Sequence, residues 1–230
     1  MRTLGLIGGT TWFSTAEYYK IINQEINRRL GGHNSAKLLL YSVNFQEYQP
    51  PSDPGGWDQV GERLSDIALR LQQSGADCIV ICANTLHIAA DRIKQRLRIP
   101  LIHIAEETAR AISSQNIEKV GLLGTKATME QSFFKDCLSQ SGVSALIPDK
   151  EERDFIHTSI YTELGAGILK RETRIKYLDI IQRLQKEGAR GIVFGCTEIP
   201  LLLKQEDCPV PVFDTLLIHA HAAVEFALSV

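Results

Sequence analysis

The chain lacks the marks of several function classes. None of its five cysteines, Cys78, Cys82, Cys137, Cys196 and Cys208, forms a Cys-x-x-Cys pair. An odd count with no small-domain framework fits a reducing compartment rather than a disulfide scaffold. Cys78 and Cys82 lie four apart on one face of a predicted strand. No third or fourth ligand accompanies them, so they read as small core residues and no metal is expected. The first apolar run ends in Gly8-Gly9-Thr10, without the third glycine of a dinucleotide fingerprint. No apolar run approaches the ~20 residues of a membrane span. Charge of one sign is not in excess: 25 basic residues stand against 27 acidic ones. Nucleic acid and anionic membrane are therefore not expected partners. The opening MRTLGLIGGT reads as a first strand rather than a signal peptide, which points to the cytoplasm. Proline and glycine are dense only in Gln49–Trp57. That stretch fits a mobile lid or a plain surface turn.

What is present is a repeat. Ala76-Asp-Cys-Ile-Val-Ile-Cys-Ala-Asn-Thr85 aligns without a gap to Ala189-Arg-Gly-Ile-Val-Phe-Gly-Cys-Thr-Glu198. Gly5-Leu-Ile-Gly-Gly-Thr10 resembles Gly121-Leu-Leu-Gly-Thr125, and Ile99-Pro-Leu-Ile-His-Ile104 resembles Val210-Pro-Val-Phe-Asp-Thr215, in the same order. Short runs of Ile, Val and Leu alternate with helical patterns across the 230 residues. The pattern predicts strands at 3–8, 37–43, 77–82, 100–104, 118–123, 144–147, 190–195 and 210–213. Near-continuous apolar strands between helices imply parallel sheets covered on both faces. The expectation is an α/β chain of two similar units, each with a parallel four-stranded sheet, related by a pseudo-two-fold. The first unit is 1–115, with the helix 214–230 packing back on it, and the second is 116–213. Ligands of open parallel sheets bind beyond the carboxyl ends of the strands, so the site is expected in a cleft between the two units.

Both repeated tips are such ends. Cys196 follows Gly195, which is expected to allow a tight turn, and precedes a predicted helix whose N–H groups and dipole favour a thiolate. Lowering a thiol from about 8.5 to near 7 takes roughly 2 kcal/mol of preferential anion stabilisation. Asn84, Thr85, Thr197 and Glu198 fit helix caps and fit a carboxylate cradle equally well. Gly9 and Thr10 border the same mouth. Ser14 and Glu17 fit a capping box for the first helix. Lys170, Arg171, Arg174 and Lys176 read as a solvated basic face, and a lone histidine such as His87 reads as structural. His219 and His221 lie two apart in the last helix and cannot share a face.

Gly5-Leu-Ile-Gly-Gly-Thr-Thr-Trp12, Cys82-Ala-Asn-Thr-Leu-His87, Gly195-Cys-Thr-Glu-Ile199 and Val212-Phe-Asp-Thr215 with His219 resemble the aspartate/glutamate racemase family. The resemblance spans nearly the whole chain. It implies a cofactor-independent amino-acid racemase without pyridoxal phosphate, commonly a homodimer, acting on aspartate, glutamate or a broader set, with a small-molecule amino acid or dicarboxylate as its ligand. One thiolate removes the α-proton and a second thiol returns one to the other face. The resemblance maps Cys196 onto the second catalytic cysteine, and Asn84, Thr85 and Thr197 onto carboxylate-holding residues. The first catalytic cysteine falls on Ala83, as the internal repeat also indicates. The aspartate-specific branch uses an arginine after the second strand, but Ser42–Tyr48 contains none; Lys170, in the second unit, is a candidate partner for a side-chain carboxylate. With Ala83 in place, the donor on the second face is expected to be water, Thr85, Thr10 or a displaced Cys82. A one-thiol decarboxylase or isomerase of the same superfamily, and a dicarboxylate-binding or engineered inactive form, are the alternatives.

Overall fold

Helices and strands alternate along the chain in the computed structural model, which describes residues 1–48 and 56–229. The loop reading for Gln49–Trp57 therefore lies mostly outside the described residues. By its internal contacts the chain divides into two compact units, Met1–Ile104 with His219–Val230, and Ala105–Ile218.

In the first unit, β1 (Leu4–Gly8), β2 (Leu38–Ser42), β3 (Cys78–Ile81) and β4 (Leu101–Ile102) form one sheet in the order β2-β1-β3-β4. Every pairing is parallel. β1 and β3 are buried along their whole length, as two-sided coverage demands of central parallel strands. β2 lies at an edge and is half-exposed. The covering helices include α1 (Trp12–Leu30) and α2 (Gly56–Gln73). Val60, Leu64, Ile67 and Leu71 recur at helical spacing on α2 and share a core with Ile79 and Ile81. Each such buried aliphatic side chain contributes about 1.5–3 kcal/mol. After β3 comes a 3₁₀ turn, Thr85–Ala89, then α3 (Ala90–Arg96) and α4 (Ile104–Ser113).

The second unit repeats the scheme. β5 (Lys119–Gly124), β6 (Ser144–Leu146), β7 (Ile192–Gly195) and β8 (Val212–Asp214) pair in parallel in the order β6-β5-β7-β8. Between β5 and β6 lie two helices, α5 (Lys126–Glu130) and α6 (Ser132–Gln140). Gln131 between them has extended backbone, with φ −70° and ψ 159°, and breaks the ladder. α7 (Lys150–Thr162) opens on a capping box from Asp149 and Glu152. α8 (Arg171–Lys186) sends Tyr177, Ile180, Ile181 and Leu184 into a core with Ile192 and Phe194. α9 (Ile199–Leu202) has only four residues. α10 (Thr215–Leu228) ends the described fold. No helix among the described residues is long and apolar enough to cross a membrane.

Both sheets thus place the repeated segments alike. β1 and β5 are second in strand order, and β3 and β7 are third. The sequence repeat is a repeat of topology, and it puts positions 83 and 196 just beyond equivalent strands.

Candidate active site

In the first unit the tips of β1 and β3 are neighbours, because Ile7 pairs with Ile81 and the Cys82 N–H donates to the Ile7 carbonyl at 2.9 Å. Gly9 adopts φ +93°, and a Cβ there would sit 2.1 Å from the Val43 carbonyl oxygen. Only glycine fits that turn. Its N–H donates to Thr15 Oγ1 at 2.8 Å. Thr10 comes next and is 7% exposed, and its hydroxyl has no hydrogen-bond partner within the structure. Its counterpart Thr125 accepts from the Thr128 N–H at 3.3 Å and caps α5. The two tip threonines therefore differ: one closes a helix end, and the other keeps a buried hydroxyl available.

The capping-box reading of Ser14 and Glu17 does not hold. α1 begins at Trp12, so Ser14 lies inside its first turn and donates to the Cys82 carbonyl at 3.0 Å. Glu17 pairs on the surface with Lys20. Ser14 is thus a brace under the tip of β3. Cys82 itself is fully buried, and burial pushes its thiol far up. Its side chain belongs to the core, so a displaced Cys82 is not a ready proton donor. Cys78 is buried too and is pushed up to about 12 by burial. No cluster of metal-binding side chains occurs among the described residues.

Ala83 is half-buried, and its carbonyl is held by His87 Nδ1 at 2.8 Å. His87 Nε2 accepts the Ile104 N–H at 3.3 Å, which makes Nδ1 the protonated nitrogen of a neutral ring. His219 is fixed in the other tautomer. Its Nε2 donates to the Ile102 carbonyl at 2.8 Å, and Tyr18 donates its hydroxyl to Nδ1 at 2.8 Å. The rings of His87, His103 and His219 lie edge to face, with His87 4.7 Å from His103 and 5.4 Å from His219. Burial holds His87 well below its ordinary value, helped by the two neighbouring rings. Burial brings His219 down to about 4. These buried histidines build the floor behind Ala83, and no sequence signal joined Tyr18, His103 and His219 to it. Asn84 is 5% exposed and Thr85 half-buried. Asn84 makes no side-chain cap to the 3₁₀ turn that follows it. The dipole expected there is weak, because the turn is short and not α-helical.

In the second unit Cys196 follows β7. Gly195 is needed for close approach rather than for a turn. A Cβ on it would lie 2.8 Å from the Leu123 carbonyl oxygen, and its strand partner is Gly124. The Thr215 hydroxyl braces this tip from α10 by donating to the Phe194 carbonyl at 2.8 Å. Cys196 Sγ donates to Glu198 Oε2 at 2.8 Å, and the Thr197 hydroxyl donates to the same oxygen at 2.8 Å. Cys196 is 8% and Glu198 7% exposed.

This arrangement corrects the expected thiolate. Burial pushes the Cys196 thiol well above its usual value, and the Glu198 charge and the bond to its carboxylate add to the rise. The backbone N–H groups of Glu198 and Thr197 pull the other way. A four-residue helix adds little dipole against them. In this state Cys196 is a neutral thiol. Lys170 donates to Glu163 Oε1 at 2.9 Å and is half-exposed, while Arg174 pairs with Asp207. Two members of the basic cluster, Lys170 and Arg174, are thus tied into ion pairs.

Comparison with known proteins agrees with the two-sheet α/β fold. The family model described as Asp/Glu/Hydantoin racemase matches residues 7–223. The crystal structure of a candidate Asp/Glu racemase from Yersinia pestis superposes with a TM-score of 0.94, at 46% identity over 100% of both chains. An aspartate racemase homologue from Pyrococcus horikoshii OT3 superposes with a TM-score of 0.86, at 36% identity over 100% of both chains. The broad specificity amino-acid racemase RacX of Bacillus subtilis is 23% identical over 98% of each chain.

Proposed function

The chain belongs to the Asp/Glu/Hydantoin racemase family, and from that premise we propose that it is a cofactor-independent amino-acid racemase. Cys196 carries the α-proton on one face of the substrate. The carrying observation is the buried Cys196 thiol at the carboxyl end of β7, hydrogen-bonded to a carboxylate at 2.8 Å. The buried Thr10 hydroxyl supports a polar ligand beside the tips of β1 and β3, because an unsatisfied hydroxyl costs about 1–3 kcal/mol unless something bonds it. Gly9, Thr10, Asn84 and Thr85 are assigned to the substrate's α-carboxylate. Ala83 marks the place of a second thiol that this chain does not have.

The substrate is an amino acid. RacX supports a broad range, and the engagement of Lys170 with Glu163 argues against a dedicated side-chain carboxylate partner.

The test is α-deuterium incorporation in D₂O, followed for each enantiomer of an amino-acid panel. One enantiomer exchanges faster than the other, because only one face has a thiol. In Ala83→Cys the slower enantiomer gains about 10²–10⁴-fold, the usual contribution of a positioned acid or base. Equal fast exchange of both enantiomers in the unaltered protein would refute the one-thiol assignment.

A further inference from the structure

We propose that the outer edge of β2, with the exposed flank of α1 beside it, is the face through which two copies of this chain pair about a two-fold axis. The pairing involves the first unit alone and stands independently of the racemase reading.

One side of α1 is buried through Ser14, Thr15, Tyr18, Ile22 and Ile26. Trp12, Ala16 and Tyr19 recur at helical spacing on the side next to it, and all three are exposed. Asn23 continues that stripe and accepts the Ala36 N–H at 2.9 Å, which sets this flank of α1 beside the entry to β2. A Cβ on Gly8 would meet Leu40 and Thr15 together, so Leu40 projects to the α1 face of the sheet. Phe13 stacks on Trp12 with ring centroids 3.7 Å apart. Trp12 is 63%, Phe13 49%, Tyr19 52% and Leu40 44% exposed. At about 150–250 Å² for a whole aromatic side chain, they uncover on the order of 400 Å², which on a monomer usually marks a binding surface. Leu38–Ser42 carries no charge, and the nearby Glu17 and Lys20 pair with each other. The fold itself does not demand this surface. In the second unit the corresponding edge strand, β6, has three residues and opens on the exposed Ser144, whose hydroxyl donates to the Glu118 carbonyl at 3.0 Å. Where α1 opens on Trp12, α5 opens on Lys126, which pairs with Asp154.

The occupant is a second copy because the edge is complementary to itself. The Leu4 N–H donates to the Lys37 carbonyl and the Val43 N–H to the Gly8 carbonyl, both at 2.9 Å. Odd-numbered residues of this segment therefore face β1, and the N–H and C=O groups of Leu38, Leu40 and Ser42 point outward. β2 is terminal in its sheet, so no strand among the described residues pairs with those groups. An uncharged edge strand of this kind is a template for another strand. An antiparallel copy, with Leu40 opposite Leu40 and Leu38 opposite Ser42, satisfies them with the same three residues of the other chain. Facing residues in such hydrogen-bonded pairs lie about 5.5 Å apart at Cα, with their side chains on one face of the sheet. The axis then passes between the two Leu40 residues, perpendicular to the sheet. Both α1 helices lie on the same face, and their Trp12–Tyr19 flanks turn toward each other. The contact is isologous and closes at two chains. The apolar flank supplies about half of the ~800 Å² that each partner gives to a stable interface, and the paired strands and their borders supply the rest.

Sedimentation velocity of the full chain tests the pairing. The parent sediments with twice the 25.6 kDa mass of one chain. Leu40→Lys sets two like charges against each other on the axis and halves that mass. Ser144→Lys, on the edge strand of the second unit, leaves it doubled. Circular dichroism identifies the variants that fold. Should Leu40→Lys not fold, Tyr19→Glu decides in its place, because its position on α1 is exposed. Leu40→Cys reads the register. Residue 40 meets itself at a Cα separation that a disulfide spans, so oxidation by copper phenanthroline links this variant into a covalent dimer that a reductant cleaves. The parent, oxidised alongside with its own five cysteines, forms no such dimer. A parent that sediments as a single chain overturns the proposal and leaves the patch to a different protein. A doubled mass retained by the folded Leu40→Lys or Tyr19→Glu overturns it as well, as does a mass halved by Ser144→Lys. No covalent dimer from Leu40→Cys overturns the two-fold register.

Discussion

His219 makes the stability of the first unit depend on pH in a calculable way. Its ring is fully buried and takes up a proton only near pH 4, whereas an unfolded chain binds that proton near pH 6.5. Between those values the unfolded state holds more protons than the native one. Stability is complete above pH 6.5 and is lost as pH falls toward 4. Going from pH 7.5 to pH 5 costs about 2 kcal/mol from His219 alone, and the full shift corresponds to about 3 kcal/mol. His87, also held well below its ordinary value, adds to the loss in the same direction. The measurement is urea unfolding at pH 7.5 and pH 5, with His219→Gln as the comparison. The variant is less stable at pH 7.5, because it loses bonds from Tyr18 and to Ile102, but its stability falls less on acidification. Ring NMR supplies the microscopic check. A His219 resonance titrating near pH 6.5, or a parent stability that is flat across this range, refutes the reasoning.

Two further substitutions probe the tips. Thr10→Val removes a buried hydroxyl with no partner and replaces it with a methyl group of similar shape. Thermal unfolding should show no loss and a gain of up to about 1 kcal/mol, while the KM for the amino-acid substrate rises. A loss of stability above 1 kcal/mol would mean that the hydroxyl serves the fold. Gly195→Ala forces a Cβ to within 2.8 Å of the Leu123 carbonyl oxygen and 3.0 Å of Thr128 Cγ2. Overpacking of this kind costs about 1–3 kcal/mol, so Tm should drop by several degrees, at roughly 2–4 °C per kcal/mol for a chain of this size. An unchanged Tm would show that β5 and β7 can separate cheaply.

Much of this fold was legible because parallel strands buried on both faces read as unbroken Ile, Val and Leu runs. The segments ending at Cys82 and Gly195 are the plainest cases, and both are third strands of their sheets. Helix ends were harder to read. Ser14 and Glu17 have the spacing of a capping box, yet Gly9 turns the chain early enough for α1 to start at Trp12. The break at Gln131 has no proline or glycine to announce it. The protonation state of the thiol beyond β7 was not legible. Cys196 was expected to be a thiolate from its place before a helix. The outcome depends on burial and on a carboxylate two residues along, and the direction of the Glu198 side chain is a tertiary fact. The histidine floor was hidden for the same reason: His87, His103 and His219 come from segments far apart in sequence.

The Ala83 carbonyl, gripped by His87 Nδ1, has an evolutionary consequence. The backbone at this position is anchored through its own oxygen, independently of whichever side chain it carries. A methyl group, a hydroxyl or a thiol can therefore be exchanged there with little effect on folding. On the racemase reading proposed above, the side chain at position 83 is thus free to drift or be selected while the scaffold stays constant.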